Sequence, residues 1–279
     1  MAGLRGLRIA FLDRPHPAGY QGALADELVP MLRDAGGRVE LVHAECGLHR
    51  VDRDPGFDMV VLKSGSAAAL HLAAVAEAWG ARVINACEAT RLAQDKISVS
   101  AILQQAGLPI ATGHAAWLPL ARPEETAKLA GLARCSMIVK AARGSRGVGL
   151  WRAEPGELLE LLPSLPEAPY LLMDHVPHSG EDLKVFAAGD WLAAVARPFP
   201  ANTLEEKLGQ PVEVPAGVAC TVREVGRLLG LTCFGCDFVR GTDGWVLVDV
   251  NAFPGYKGAS GAAVAICVAI ERSAVGVRA

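Results

Sequence analysis

The sequence predicts an α/β chain, α+β taken as a whole, in which a parallel, helix-covered sheet precedes antiparallel hairpins. Three observations predict it. Short apolar runs alternate with helix-like segments through the first 90 residues, the pattern of a parallel sheet with crossover helices. Ala, Val and Leu are abundant and aromatic residues make up only 5%, which favours helices on parallel strands over an aromatic-rich sandwich. After residue 170 two pairs of strand-like runs, Asp182–Ala187 with Trp191–Arg197 and Gly235–Val239 with Trp245–Val250, are each joined by a short turn.

Leu7–Leu12, Val39–His43, Phe57–Leu62 and Arg82–Ile84 are the first strand-like runs, with helix-like Gln21–Ala35 and Ala67–Trp79 between them. No GxGxxG follows the first strand, so the dinucleotide phosphate fingerprint is missing there. Ala89–Ala106 reads as one amphipathic helix closed by Gly107 and Pro109. Glu124–Ala133 is helical, and Ser136–Lys140 is a strand entering the glycine loop Ala141–Gly149. Pro163–Pro169, with three prolines in seven residues, reads as a linker into the strand Tyr170–Met173. Asp182–Ala187 and Trp191–Arg197 form a hairpin around Gly189 and Asp190. Val218–Leu229 is a helix, and Gly235–Val239 and Trp245–Val250 are strands joined through Thr242–Gly244. A small-residue helix, about Ser260–Arg272, comes last, and no internal repeat is visible.

Length and composition bound the function. At about 150 residues per domain, 279 residues suggest two domains. With 51% apolar residues the chain can bury a sizeable core, and 30 Gly with 17 Pro stay below the level of low-complexity sequence. The net charge is −3 and like charges do not cluster in runs, which argues against a general nucleic-acid or anionic-membrane surface and leaves room for a local basic pocket. The apolar stretches Ser64–Ala76 and Gly258–Ile270 have 13 residues each, too few to span a bilayer. Met1–Leu7 runs into the first strand without a secretory signature, so the cytoplasm is the expected location. Seven scattered cysteines do not read as a disulfide framework. The Cys233–Cys236 CxxC has no second pair at zinc-finger spacing and enters a strand, so packed thiols are expected.

Four segments could carry chemistry. On the strand Trp245–Val250 and its continuation, Asp249 and Asn251 share a face, and a short hairpin can bring Asp237 alongside. Two carboxylates and an amide oxygen suit Mg²⁺ holding a polyphosphate; the alternative is a solvated polar sheet face. Lys140 at a strand end, followed by Arg143 and a glycine loop, can gather an ammonium and backbone N–H groups around phosphates, although such loops also occur at ordinary turns. It is not a Walker A loop, because the lysine precedes the glycines. Asp95 and Lys96, taken alone, fit a solvated helix face. His175 and His178 stand three apart, but Pro177 between them prevents a regular helix and weakens a metal-pair reading.

Taken in order, these segments resemble the ATP-grasp superfamily over roughly residues 83–260. Its two-magnesium triad matches Asp237, Asp249 and Asn251. Lys96 and Lys140 resemble its two phosphate lysines, and Gly144, Ser145, Arg146 and Gly147 the loop that closes over the triphosphate. Met173, Asp174, His175 and Val176 resemble the hinge whose backbone reads adenine, and Glu181 or Asp182 falls where a ribose-binding carboxylate often stands. The resemblance implies ATP with two Mg²⁺ ions, Mn²⁺ being an alternative. It also implies an N-terminal α/β domain over 1–88, a central subdomain over 89–172 and a C-terminal subdomain with the metal site over 173–279.

Two branches compete. Val83–Ala86, Arg91–Lys96, Lys140 and Gly144–Gly147 look like RimK-type glutamate ligases, which join a carboxylate to an amine through an acyl phosphate. Val248–Tyr256, Lys184, Arg197 and Lys63 look like inositol-polyphosphate kinases. The ligases usually carry Glu at the position of Asp249 and an arginine before the asparagine, where this chain has Pro200 before Ala201 and Asn202. The kinases carry a histidine in the glycine loop and need a more basic site. The ligase reading leads, with Arg197 and Lys184 facing the acyl phosphate. Its expected partners are ATP and small-molecule carboxylate and amine substrates, with no nucleic acid and no membrane, and with a homo-oligomer left open. A nucleotide-binding protein without turnover is the third reading.

Overall fold

A computed structural model describes residues 3–17, 23–118, 123–132, 135–144, 149–154, 156–201 and 203–275. Gln21, Ala133, Asn202 and the loop residues Ser145, Arg146 and Gly147 lie outside them.

The N-terminal alternation of strand and helix is present. β1 (Arg8–Leu12), α1 (Leu24–Asp34), β2 (Arg38–Val42), β3 (Met59–Leu62), α2 (Ala67–Ala78) and β4 (Arg82–Ile84) form a parallel sheet of order β2-β1-β3-β4 with its helices. α1 forms because Ala25, Leu28, Val29 and Leu32 line one face at helical spacing and bury it. α2 starts where the Ser66 hydroxyl accepts from the Ala69 amide at 3.1 Å.

The helix expected over Ala89–Ala106 is two helices, α3 (Cys87–Gln94) and α4 (Lys96–Gln105). Asp95 breaks it. Its backbone leaves the helical region and its carboxylate accepts from the Ile97 and Ser98 amides, both at 3.1 Å, so one residue stops a helix and caps the next. The break makes Lys96 the first residue of α4.

Next come β5 (Gly113–Leu118), α5 (Pro123–Leu132), β6 (Met137–Ala141), β7 (Leu150–Ala153), the single turn α6 (Leu158–Leu161) and β8 (Ala168–Asp174). The four strands make an antiparallel sheet of order β5-β8-β6-β7. The proline-rich linker is shorter than expected, because Ala168 and Pro169 already pair with Leu118 and Trp117 in β8. The glycine loop is closed at its base by the Ala141 amide donating to the Gly149 carbonyl at 2.7 Å. Gly149 has φ +76°, and a Cβ there would lie 2.8 Å from that of Ala141, so only glycine fits.

The third sheet is antiparallel, of order β11-β10-β9-β12-β13. Its elements are β9 (Glu181–Ala188), β10 (Trp191–Pro198), α7 (Leu204–Leu208), β11 (Gln210–Val212), α8 (Ala216–Leu229), β12 (Cys233–Gly241) and β13 (Gly244–Ala252), followed by α9 (Ala262–Ser273). α9 returns to the N-terminal sheet: Ile266 and Ile270 share one core with Leu28, Leu32, Phe186 and Val195. Among the described residues no helix is long and apolar enough to cross a membrane.

Candidate active site

The register of the third sheet sets one row of charged side chains across four strands. Arg197 on β10 lies opposite Asp182 on β9, Lys184 on β9 opposite Asp237 on β12, and Asp237 opposite Asp249 on β13, with Asn251 two residues on. Alternation puts these side chains on the face that, farther along, packs Phe186, Val195 and Cys233 into the core with α9. The middle of the other face is apolar: Leu183, Val185, Ala194, Phe234, Cys236 and Phe238 pack with α3, α4 and α8. A β-bulge lies where Asp237 pairs with Asp249 and Phe238 with Leu247, leaving Val248 unmatched. The bulge turns Asp249 to the charged face while Leu247 stays in the apolar core.

Asp237 is the hub. Lys184 Nζ donates to both its oxygens at 2.7 Å, Arg197 Nη2 to Oδ1 at 2.9 Å, and Asn251 Nδ2 to Oδ2 at 3.0 Å. Asn251 Nδ2 also reaches Asp249 Oδ2 at 3.1 Å. Arg197 grips Asp182 with a fork, Nε to Oδ1 at 2.6 Å and Nη2 to Oδ2 at 2.7 Å. Burial opposes the charge on Arg197, but Asp182 and Asp237 outweigh it and hold the guanidinium above its ordinary pKa.

The two expected phosphate lysines meet here. The Lys96 amide donates to the Ala142 carbonyl at 3.0 Å, which ties the start of α4 to the end of β6. Lys96 Nζ then lies 3.3 Å from Asp249 Oδ1, and Lys140 Nζ donates to the carbonyl of the bulged Val248 at 2.6 Å. Burial pushes the Lys140 ammonium below its ordinary pKa, Lys96 adding to the effect and Asp249 opposing it. For Asp249 burial acts upward, but Lys96, Lys140 and Lys184 together prevail and hold its carboxyl below the ordinary value. Four cations thus face the three carboxylates Asp182, Asp237 and Asp249, an excess of one positive charge in a chain of net charge −3.

Lys96, Lys140 and Asp249 form the polar end of a narrow cleft between the second sheet and β13; Leu171, Met173 and Leu247 form its apolar side. A slot with one cationic end and one apolar wall suits a flat heterocycle carrying phosphates. The expected adenine hinge borders it, at the end of β8. The Asp174 amide donates to Thr112 O at 3.0 Å and the His175 amide to Ser136 O at 2.9 Å, so these two N–H groups hold neighbouring backbone, and Val176 is the first residue past them. Gly144 lies in the loop after β6, while Ser145, Arg146 and Gly147 are outside the described residues. His175 and His178 pack as tilted rings 5.9 Å apart, with His178 edge-on to Phe199.

Of the two carboxylates considered for ribose, the buried one is Asp182. Its side chain is 1% exposed and both oxygens are engaged by Arg197, whereas Glu181 is exposed at the start of β9. Lys63 ends β3 with its ammonium 6.0 Å from the Phe253 ring, linking the N-terminal sheet to the loop after β13. Asn85 falls in the run Val83–Ala86 quoted from the sequence, which assigned it no role of its own. It is buried at the end of β4, donates to Cys233 O at 2.6 Å and accepts from the Thr232 and Cys233 amides at 2.8 Å each, which pins the strand carrying Asp237. A polar residue directly after an apolar strand was the available signal.

The donor set fits magnesium. Among the described residues no three His, Cys, Asp or Glu side chains cluster, so a metal would rely on the two carboxylates and the Asn251 carboxamide, all hard oxygen donors. Asn251 here turns its nitrogen to the carboxylates, and as a ligand it would present the other end of the amide. Cys233 and Cys236 point to opposite faces of β12, into different cores, and cannot share a ligand.

No protein-family model matches the chain. It is 27% identical over 215 residues to a probable alpha-L-glutamate ligase of Haemophilus ducreyi, covering 72% of this chain and 69% of the relative. Among solved structures it superposes on a RimK domain ATP-grasp protein from Sphaerobacter thermophilus with TM-score 0.75 and 18% identity, over 96% of this chain and 100% of that one. D-cycloserine synthetase DcsG matches with TM-score 0.73 and 19% identity, over 96% and 99%. The fold is the ATP-grasp fold.

Proposed function

We propose that this chain is an ATP-dependent carboxylate–amine ligase that forms an amide through an acyl phosphate. The observation that carries the reading is the charged row itself: Asp237, Asp249 and Asn251 on one face, ringed by Lys96, Lys140, Lys184 and Arg197. Similarity to ligases in both sequence and fold supports it.

Asp237, Asp249 and Asn251 would hold magnesium, two ions with manganese as a substitute, and the metal when bound neutralises charge on the phosphates. Lys96 and Lys140 bind the nucleotide phosphates from the cleft side. Met173–Val176 border the base and Glu181 faces the ribose. Gly144 starts the glycine loop expected to exclude water, which would hydrolyse an acyl phosphate. Arg197 and Lys184 orient the substrate carboxylate. One of its oxygens attacks the γ-phosphorus as ADP leaves, and the amine then attacks the acyl carbon as phosphate leaves. No side chain acts as a nucleophile; the protein supplies position and charge. The segments 1–88, 89–172 and 173–279 act as three domains, with the nucleotide between the last two, in a cytoplasmic enzyme. The name shared by the sequence relatives supports an α-amino acid among the substrates.

Incubation with ATP, magnesium, a panel of carboxylic acids and hydroxylamine tests the reaction class. Hydroxamate formation is expected. A phosphorylated alcohol without hydroxamate would place the chain among kinases and remove the ligase reading.

A further inference from the structure

Asp182 is the one carboxylate of the charged row with no route to a ligand. Its side chain is 1% exposed, it lies between β10 and β12, and both its oxygens accept from Arg197. Arg197 in turn is 16% exposed and shares Nη2 between Asp182 and Asp237. Three of its five N–H groups thus serve the two carboxylates, and the planar fork fixes the guanidinium in the sheet face.

The geometry points to Asp182 as a positioning residue that divides Arg197 between two carboxylates, limits it to a single bond on Asp237, and aims it at the reacting carboxylate. The argument is one of competition. Asp237 already receives two bonds from Lys184 and one from Asn251, and Arg197 is the only other cation bonded to it among the described residues. With Asp182 in place the guanidinium is divided between two anions. Without its charge, Arg197 has a single anionic partner and moves fully onto Asp237, where it opposes a metal ion and leaves the acyl group. This rests on the ligase reading for its catalytic consequence, while its consequence for metal binding does not.

Asp182→Asn is nearly isosteric and tests both. In the wild type, Mg²⁺ titrated in the presence of ADP is expected to raise the thermal unfolding temperature; in D182N the midpoint of that titration is expected to rise about tenfold, while Arg197→Ala added to D182N should return it to or below the wild-type value. In the hydroxylamine assay D182N loses about 100-fold in kcat with the KM for ATP changed less than about threefold. R197A and the double variant R197A/D182N fall to the same floor, because a residue acting through Arg197 has nothing left to act on. A purely structural role instead gives additive losses in the double variant and no reversal of the magnesium midpoint, and either result overturns the proposal. Should D182N fail to fold, comparing R197A with the charge-free R197A/D182N pair still decides between shared floor and additivity. If the wild type forms no hydroxamate the ligase reading falls, and the magnesium midpoints still judge Asp182.

Discussion

The two faces of the five-stranded sheet use the same strands for opposite purposes. On β12, Phe234, Cys236 and Phe238 point into an apolar core under α8, whereas Asp237, between two of them, meets two cations and an amide. The apolar face depends on volume and burial, and a neighbour can relax into a gap. The charged face depends on pairing: the enclosed Asp182, Asp237 and Lys184 need their partners, whereas Asp249, with its side chain 30% exposed, is open to solvent. The difference teaches that stability and chemistry here sit on opposite sides of one pleat, one residue apart, and should be separable by substitution.

Breaking the charged face has the larger expected effect. Asp249→Ala removes the carboxylate that Lys96 and Asn251 reach, and its side chain is 30% exposed, so the fold tolerates the loss. Turnover measured by ADP release should drop by about 1,000-fold or more, with the unfolding temperature little changed. Activity near that of the wild type would take Asp249 out of the metal site.

The apolar face should answer in the reverse way. Phe234 is 3% exposed, and its ring presses on α8, where a Cβ on Gly226 would come within 2.9 Å of it. Phe234→Ala should cost about 3–5 kcal/mol of stability in denaturant unfolding and leave kcat of the folded fraction within about twofold. A loss of kcat as large as that of Asp249→Ala would show that the two faces are coupled through β12.

How much of this was legible in the sequence follows the same division. The parallel N-terminal sheet, α8 and both hairpins could be read because apolar spacing marks a face and turn residues mark its ends; the expected turn at Thr242–Gly244 closes β12 on β13. β5 and β7 were not legible: Gly113–Leu118 buries only Leu118 and shows no apolar alternation, and Leu150–Ala153 is four residues long. The break at Asp95 was within reach, since an aspartate before an apolar run is an N-cap signal that amphipathic periodicity overrode. In the charged row, the shared face of Asp249 and Asn251 came from strand period alone. The Asp182–Arg197 fork did not, because it depends on cross-strand register, which local pattern leaves open. A carboxylate beside an exposed Glu181 looks like a ligand group until its partner on the next strand is known.

The smallest effect concerns the thiols that lie on both sides of the same strand. Burial pushes the Cys233 thiol up to about 12, and raises that of Cys236 as well, Asp237 adding to the shift. The thiolate is the reactive form, so Cys233 stays a thiol at pH 8, whereas Cys46, Cys135 and Cys220 are exposed. Alkylation by iodoacetamide followed by mass spectrometry should label the exposed three in the native protein and Cys233 and Cys236 only after unfolding. The sign for stability follows. A thiol whose pKa is raised by folding favours the native state below its ordinary value of 9.0, and that contribution is lost as pH climbs toward 12. Replacing Cys236 with alanine should therefore flatten the alkaline fall in unfolding temperature while leaving turnover within about twofold. Rapid native labelling of Cys236 would mean that the strand opens locally, and the apolar face would then no longer be the static half of the pair.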